Sequence, residues 1–442
     1  HFFQAEDGIH AGAVSGVQTC GPPARLPIRR NTIYVLLILS LLAGLFTGRA
    51  FFFNLAYLFG GLLIVSLLWS WGAVRWIGIS RKTRARRAQV GRSLDEAFTV
   101  HNRSLLPKLW LEVRDQSTLP GHRASHVVPA MLGRSRYRWH VETPCTVRGE
   151  FFLGPVTLIS GDPFGLFLSQ RKLGATSRVI VYPQTAPVTH FELPMGMLSG
   201  GEAQRQRAHY VTTNAAGVRE YVTGDSFNRI HWASTARKER LMVKEFDIDP
   251  MVDIWLFVDF SLESLVEDPR LRRINGNGPA IPSNGEIPPS TEEYGVVTAA
   301  SLAKHFIDLE RALGFVAYTP HREIHQPERG NRQLIRILQT LAVARSTAPF
   351  SLAHMLTLET PYLTRGTTLV IVTSSLEPAW VAEAQILARK GIRPLCVLVD
   401  PQSFGAPSSA DEIRGLLRLA RIPTIVIRHG DDLTAALAQR PL

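Results

Sequence analysis

A chain of 442 residues that is 45% hydrophobic and 19% charged has room for two or three domains, and its composition excludes a wholly disordered protein. Its three cysteines, Cys20, Cys145 and Cys396, are too widely spaced for a disulfide framework or a zinc cluster and fit a reducing compartment. The net charge of +12 is locally concentrated: Arg81, Lys82, Arg84, Arg86, Arg87 and Arg92 have no acidic residue between them, which suits a membrane flank better than a nucleic-acid surface.

The run Gln4-Ala5-Glu6-Asp7-Gly8-Ile9 reads as a translated sequencing adapter, so residues 1–20 are expected to be an artefact or disordered. Two apolar runs follow, Thr32 to Gly48 and Ala50 to Val74. Each is long enough to cross a hydrocarbon core of ~30 Å at about 1.5 Å per residue, and the tight break at Arg49 predicts a transmembrane helical hairpin over 31–79. Arg25, Arg29 and Arg30 precede it and the Arg81–Arg92 cluster follows it, so both ends are expected in the cytoplasm, with Trp69, Trp71 and Trp76 as an interfacial belt. Residues 80–92 are expected to be a basic juxtamembrane stalk.

From 93 to 185 the hydrophobic period is two. Leu109 to Arg114 and Tyr137 to Glu142 alternate apolar and polar residues, and further runs lie at Cys145 to Phe152, Gly154 to Ser160 and Arg178 to Tyr182. Turn residues between them predict a small antiparallel β-sandwich. Residues 186–249 are a linker followed by a dense polar and aromatic segment. From 250 to 442 apolar strands alternate with amphipathic helices: Val252–Phe260, Glu292–Leu313, Gly314–Thr319, Asn331–Arg345, Thr368–Ser374, Glu377–Lys390, Ile392–Asp400, Ala410–Ala420, Pro423–Arg428 and a last short helix. This pattern predicts an α/β domain with a parallel sheet covered on both faces. Ser290-x-x-Glu293 and Ser409-x-x-Glu412 read as capping boxes, and Leu265 to Ser290 as a long loop.

Ligands of such sheets sit at the carboxyl ends of the strands. The first strand ends Val258-Asp259-Phe260-Ser261-Leu262-Glu263, so Asp259 and Ser261 are candidate ligands for Mg²⁺ or a similar cation. This resembles the Asp-x-Ser-x-Ser metal motif of von Willebrand factor A domains. Glu263 stands in its third place, and Thr373-Ser374-Ser375 stands where that family has an aspartate. The competing expectation is a polar strand-end network without a metal.

The segment Gly217 to Asp247 carries the most specific pattern. Arg219-Glu220-Tyr221, Gly224-Asp225, Arg229-Ile230-His231-Trp232, Ala236-Arg237 and Leu241-x-Val-Lys244-Glu245-Phe246 resemble the signature of the bacterial family of domain of unknown function 58. Arg148-Gly149, Gly154-Pro155-Val156, Asp162-Pro163-Phe164-Gly165-Leu166 and Val181-Tyr182-Pro183 extend the resemblance. It implies a membrane-anchored protein with a von Willebrand A-like domain, associated with MoxR-type AAA+ ATPases, sometimes with transglutaminase-like proteins, and acting in assembly or maturation of other proteins. It implies no catalytic residues.

Physically, the segment reads either as a clasp between the β-rich and α/β parts or as a docking surface. Trp232 and Tyr221 would anchor it, and Arg219, Arg229 and Arg237 would pair with carboxylates. The expected function is a non-enzymatic scaffold or adaptor at the bacterial inner membrane, with its globular part cytoplasmic and no nucleic-acid partner. The alternatives are a metal-dependent protein-binding A domain, or an enzyme pairing Asp225 and His231 with Ser226 or Ser234. No nucleophile elbow, zincin motif or phosphate loop supports the enzyme.

Overall fold

A computed structural model describes residues 26–84, 87–174, 176–193, 215–222, 230–246, 253–267, 286–319 and 321–441. The expectations for residues 1–20, and for most of the loop at 265–290, lie outside them.

Helices α1 (Leu26–Thr47) and α2 (Ala50–Ala73) form the hairpin. Gly48 makes the turn in the left-handed region at φ 65°, and Gly44 lets the Phe53 ring pack closely between the helices. Both helices are long and apolar enough to cross a membrane. Only 11% and 17% of their apolar windows are buried inside the protein, so neither is a core helix.

Among the described residues the next part holds nine strands: β1 (Ile77–Thr83), β2 (Arg87–Gln89), β3 (Ser93–Asn102), β4 (Leu111–Ser117), β5 (His126–Val128), β6 (Arg136–Pro144), β7 (Gly149–Gly161), β8 (Leu168–Leu173) and β9 (Ser177–Tyr182). One antiparallel sheet runs β1-β3-β6; the other runs β2-β9-β7-β4-β5. Strand β7 is long enough to pair with β9 through its first half and β8 through its second. Ile77 and Val100 of the first sheet share a core with Leu111, Val113, Val128, Val156 and Leu158 of the second.

The expected basic stalk is not a free tether, because its residues up to Thr83 belong to β1 and Arg87–Gln89 form β2. Ladder alternation puts Glu96 on the buried face of β3 beside Leu94 and Phe98. Arg81 is drawn in to neutralise it, with Nε 3.1 Å from Glu96 Oε1, a bond to Asp115 and its guanidinium 4.7 Å over the Phe98 ring. His122 completes the group, with Nε2 2.9 Å from Asp115 Oδ2 and Nδ1 2.9 Å from Thr143 Oγ1. Burial raises the Glu96 carboxyl above its ordinary range, against the pull of Arg81 and His122.

This module is fixed to the hairpin. Asp162, at the β7–β8 tip, accepts from the Phe164, Leu166 and Phe167 amides at 3.0, 2.8 and 2.7 Å and from the Ser66 hydroxyl of α2. Lys108 Nζ donates to Gly72 O at 2.6 Å, capping a carbonyl at the end of α2.

The signature segment contains β10 (Ala215–Glu220), α3 (Trp232–Lys238) and β11 (Met242–Phe246), with β10 and β11 paired antiparallel. The α/β part follows: β12 (Ile254–Val258), α4 (Thr291–Asp308), β13 (Leu313–Tyr318), β14 (Arg322–Glu328), α5 (Asn331–Val343), α6 (Leu352–Glu359), β15 (Thr368–Thr373), α7 (Ala379–Arg389), β16 (Arg393–Val399), α8 (Asp411–Leu419), β17 (Thr424–Ile427) and α9 (Leu433–Leu437). The sheet order is β14-β13-β12-β15-β16-β17, parallel except for the edge pair β13–β14. One core holds α4, α5 and α9 against the sheet and the other holds α6, α7 and α8, so both faces are covered.

Neither expected capping box forms. Ser290 is the N-cap of α4 but makes no cap bond, and α8 begins after Ala410. Glu293 is instead committed to Arg148, which reaches out of the β6–β7 connection into the α/β part. Arg148 Nε donates to both Glu293 oxygens at 3.0 and 2.9 Å, and Nη2 donates to Glu292. Its Nη1 donates to Leu341 O and Ala344 O, each at 2.6 Å, at the end of α5. The guanidinium therefore caps a helix C-terminus and joins two carboxylates in the first turn of another. Removing one partner of a buried pair strands the other charges, at a cost of about 3–5 kcal/mol. Arg148→Ala is expected to lower the melting midpoint of the detergent-solubilised chain and to expose the joint to protease. Arg148→Lys is expected to recover only part of the loss, since one ammonium cannot make the forked contacts. An unchanged midpoint in both variants would contradict this role.

Candidate functional site

Strand β12 is the first of its sheet, and the chain continues to β13 on one side and, later, to β15 on the other. The crevice at the carboxyl ends of β12 and β15 is therefore the topological switch point. Asp259 follows β12 directly, held by its amide to Val372 O at 3.0 Å. Its Oδ1 accepts from the Ser261 amide at 2.9 Å and its Oδ2 from Thr373 Oγ1 at 2.7 Å. Thr373 Oγ1 in turn accepts from the Ser375 amide at 2.9 Å, and Ser374 Oγ donates to Ser264 O. Ser261, Thr373, Ser374 and Ser375 are buried, whereas Glu263 is exposed.

The donors here are hard oxygens, which is the right chemistry for Mg²⁺. The set has one carboxylate, and both of its oxygens are already engaged within the network. Among the described residues no group of three or more His, Cys, Asp or Glu side chains is placed to share a metal. A cation would have to take the Asp259 oxygen that Thr373 now bonds.

Burial raises the Asp259 carboxyl above the ordinary range, and the Glu263 charge adds to this; Thr373 and Ser261 oppose it. A carboxyl raised by folding stabilises the fold when protonated. That contribution is complete below the ordinary carboxylate range and is lost as pH rises through the raised value. The melting midpoint of the wild type, relative to Asp259→Asn, is therefore expected to fall as pH rises out of the ordinary carboxylate range and through the raised value. Parallel midpoint–pH curves for the two proteins would show that Asp259 titrates normally.

The second candidate site is the signature segment. The β10–β11 register sets Arg219 opposite Val243, Val218 opposite Lys244 and Gly217 opposite Glu245. Gly224, Asp225 and Arg229, with Ser226, lie outside the described residues. Ile230, Met242 and Val243 are buried, giving this small unit an apolar centre. His231 caps α3: its amide donates to Met242 O at 2.8 Å, and its Nδ1 accepts from the Ser234 amide at 3.1 Å and lies 2.7 Å from Ser234 Oγ. The His231–Ser234 pair weighed as catalytic is thus brought together, but as a helix cap in which the ring nitrogen satisfies an otherwise orphan amide. Tyr221 is half-buried, its amide bonded to Leu241 O at 2.8 Å. Arg237 is exposed in the last turn of α3, where it complements the helix dipole. Trp232 is 68% exposed, so it does not anchor the segment on the α/β part as expected from its size.

A clasp between the β-rich and α/β parts is made by Arg148, Glu292 and Glu293. The only sequence signal is Arg148-Gly149 in the extended resemblance; Glu293 reads as part of a capping box. His325 is half-buried in β14 with Nε2 3.0 Å from Thr340 Oγ1, and burial lowers its basicity.

These features define the class: an apolar helix pair, a two-sheet β module clamped to it, a small signature unit and a doubly wound α/β module. Residues 217–267 match the family model described as "Protein of unknown function DUF58". The chain is 25% identical over 220 residues to the "Uncharacterized protein YeaD" of Bacillus subtilis (strain 168), an alignment covering 48% of this chain and 53% of that protein. The chain thus spans about half the length of this curated relative. Together the two matches support the DUF58 family for this chain, a family of unknown function. Solved structures with some likeness include the pilus adhesin SpaC from Lactobacillus rhamnosus GG, in its open conformation, at TM-score 0.29 and 11% identity, covering 42% of this chain and 28% of that one. Another is proximal thread matrix protein 1 from the mussel byssus, at TM-score 0.23 and 12% identity, covering 38% and 47%. Neither likeness is close enough to define the fold.

Proposed function

We propose that this chain is a membrane-anchored scaffold of the bacterial inner membrane, with both termini and the globular part in the cytoplasm. It docks a MoxR-type AAA+ ATPase, and with it A-domain or transglutaminase-like proteins, during assembly or maturation of other proteins. The β module is read as a sandwich and the α/β module as von Willebrand A-like. The observation that carries the reading is the exposure of Trp232 on a unit whose buried centre and backbone pairing are internal. Trp232 and Arg237 are both exposed on α3, and aromatic and arginine side chains are enriched at interaction hot spots.

The test is a pull-down of the ATPase from detergent-solubilised membranes. Trp232→Ala and Arg237→Ala are each expected to weaken capture at least fivefold while leaving the melting midpoint within about a degree, as surface substitutions do. Loss of capture together with a lower midpoint would return the segment to a structural role; full capture by both variants would reject it as the docking surface.

The finer reading of the crevice, a metal-dependent binding site, rests on the oxygen donors around Asp259. Titration with Mg²⁺ or Mn²⁺ in a calorimeter should give saturable heat that Asp259→Ala abolishes. The absence of heat in the wild type would leave the crevice as a polar strand-end network and the partner surface at Trp232.

A further inference from the structure

A cavity of about 680 Å³ opens where α2 meets the β module, lined by Trp71, Val74, Arg75, Trp76, Arg103 and Arg171 among others. Its volume falls within the range of small-ligand sites, about 300–1,000 Å³. Three of its walls are guanidinium-bearing and none is acidic. Among the described residues none of the three arginines is ion-paired, unlike Arg81 and Arg148.

Two of the three cations have a defined packing partner. The Arg75 guanidinium lies 3.9 Å from the Trp71 ring centroid, and Arg103 packs against Gly78 with its amide bonded to Trp76 O at 2.9 Å. Trp76 is held at φ 55°, a conformation a bulky residue adopts only where its surroundings impose it. Arg171 comes from β8, which is tied to the helix by Ser169 Oγ and Ser70 Oγ at 3.0 Å. Both the transmembrane helix and the β module therefore contribute walls.

We infer that this cavity binds the phosphodiester headgroup of an anionic phospholipid. The inference rests on the membrane anchoring proposed above. Three arginines with no carboxylate among the lining residues call for an anion, and planar guanidinium groups suit phosphate oxygens. The position argues for a lipid rather than a free phosphate. Trp71, a wall of the cavity, also ends an exposed apolar stripe on α2: Ile64, Leu67 and Trp71 follow the i, i+3, i+7 spacing and are 61%, 53% and 49% exposed. The headgroup occupies the cavity while an acyl chain runs along this stripe. Trp71 and Trp76 stand at the level where interfacial tryptophans settle.

The full chain, purified in a mild nonionic detergent, is titrated with dihexanoyl phosphatidylglycerol, dihexanoyl phosphatidylcholine and inorganic phosphate, with bound molecules counted by native mass spectrometry. Partitioning into the detergent phase on cloud-point separation is scored in parallel. Saturable binding of the phosphatidylglycerol is expected, at least tenfold tighter than the other two ligands. Arg103→Gln and Arg171→Gln, both exposed and so not needed for folding, are each expected to weaken it at least fivefold without changing phase partition. Detergent-phase protein whose lipid binding is unaltered in both variants, or that takes inorganic phosphate equally well, would overturn the assignment and leave the anchor standing. Recovery in the aqueous phase would overturn the anchor and this inference with it.

Discussion

The arrangement of the β and α/β modules depends on one buried guanidinium. Arg148 leaves the β module, crosses to the α/β module and satisfies two carboxylates at the start of α4 and two carbonyls at the end of α5. An ion pair of this kind is weak evidence for stability, because desolvation offsets most of its attraction. Its value is directional. A guanidinium with fixed donor geometry accepts only one placement of the two helix ends, and apolar contacts alone would tolerate several. The Arg81–Glu96–Asp115–His122 group does the same inside the β module, where it sets the facing of β1, β3 and β4.

The two candidate sites differ in how fully they are used by the fold. At the switch point of the sheet, Asp259 is enclosed by hydrogen bonds from Ser261 and Thr373, and the crevice is internally satisfied. In the signature unit the backbone and His231 are satisfied, yet Trp232 and Arg237 face outward. Chemistry that the fold has already consumed is a poor starting point for function; side chains that folding leaves over are a better one.

Much of this was legible in the sequence, and the failures have physical reasons. The helix pair announced itself by the length of its apolar runs, and the five parallel strands by theirs, since burial on both faces of a sheet leaves little choice of residue. Edge strand β14 did not: Arg322, Glu323, Gln326, Pro327 and Glu328 make it polar, as an edge exposed to solvent requires. Strand β1 was read as a stalk because Arg81, Lys82 and Arg84 look like a solvated charge run. Whether such a charge points to lipid, water or a buried carboxylate is decided by a partner distant in the chain, Glu96 or Asp115. The same holds for Glu293, whose spacing from Ser290 fits a cap but whose side chain is captured by Arg148. In the candidate sites, Asp259 and His231 were visible as motifs, while the arginine-lined cavity was not, because Arg75, Arg103 and Arg171 meet only in three dimensions.

Strand β7 begins one residue after Arg148 and ends one residue before Asp162. Its two ends are therefore the clamp to the α/β module and the clamp to α2. The strand changes partner in its middle, pairing with β9 as far as Leu153 and with β8 from Val156, with Gly154 between them at φ 94°. The spacing between the hairpin and the α/β module is then set by a single stretch of backbone, the 13 residues of β7. Evolution can lengthen either half of such a strand only in steps of two residues, because a step of one would turn the core-facing side chains outward.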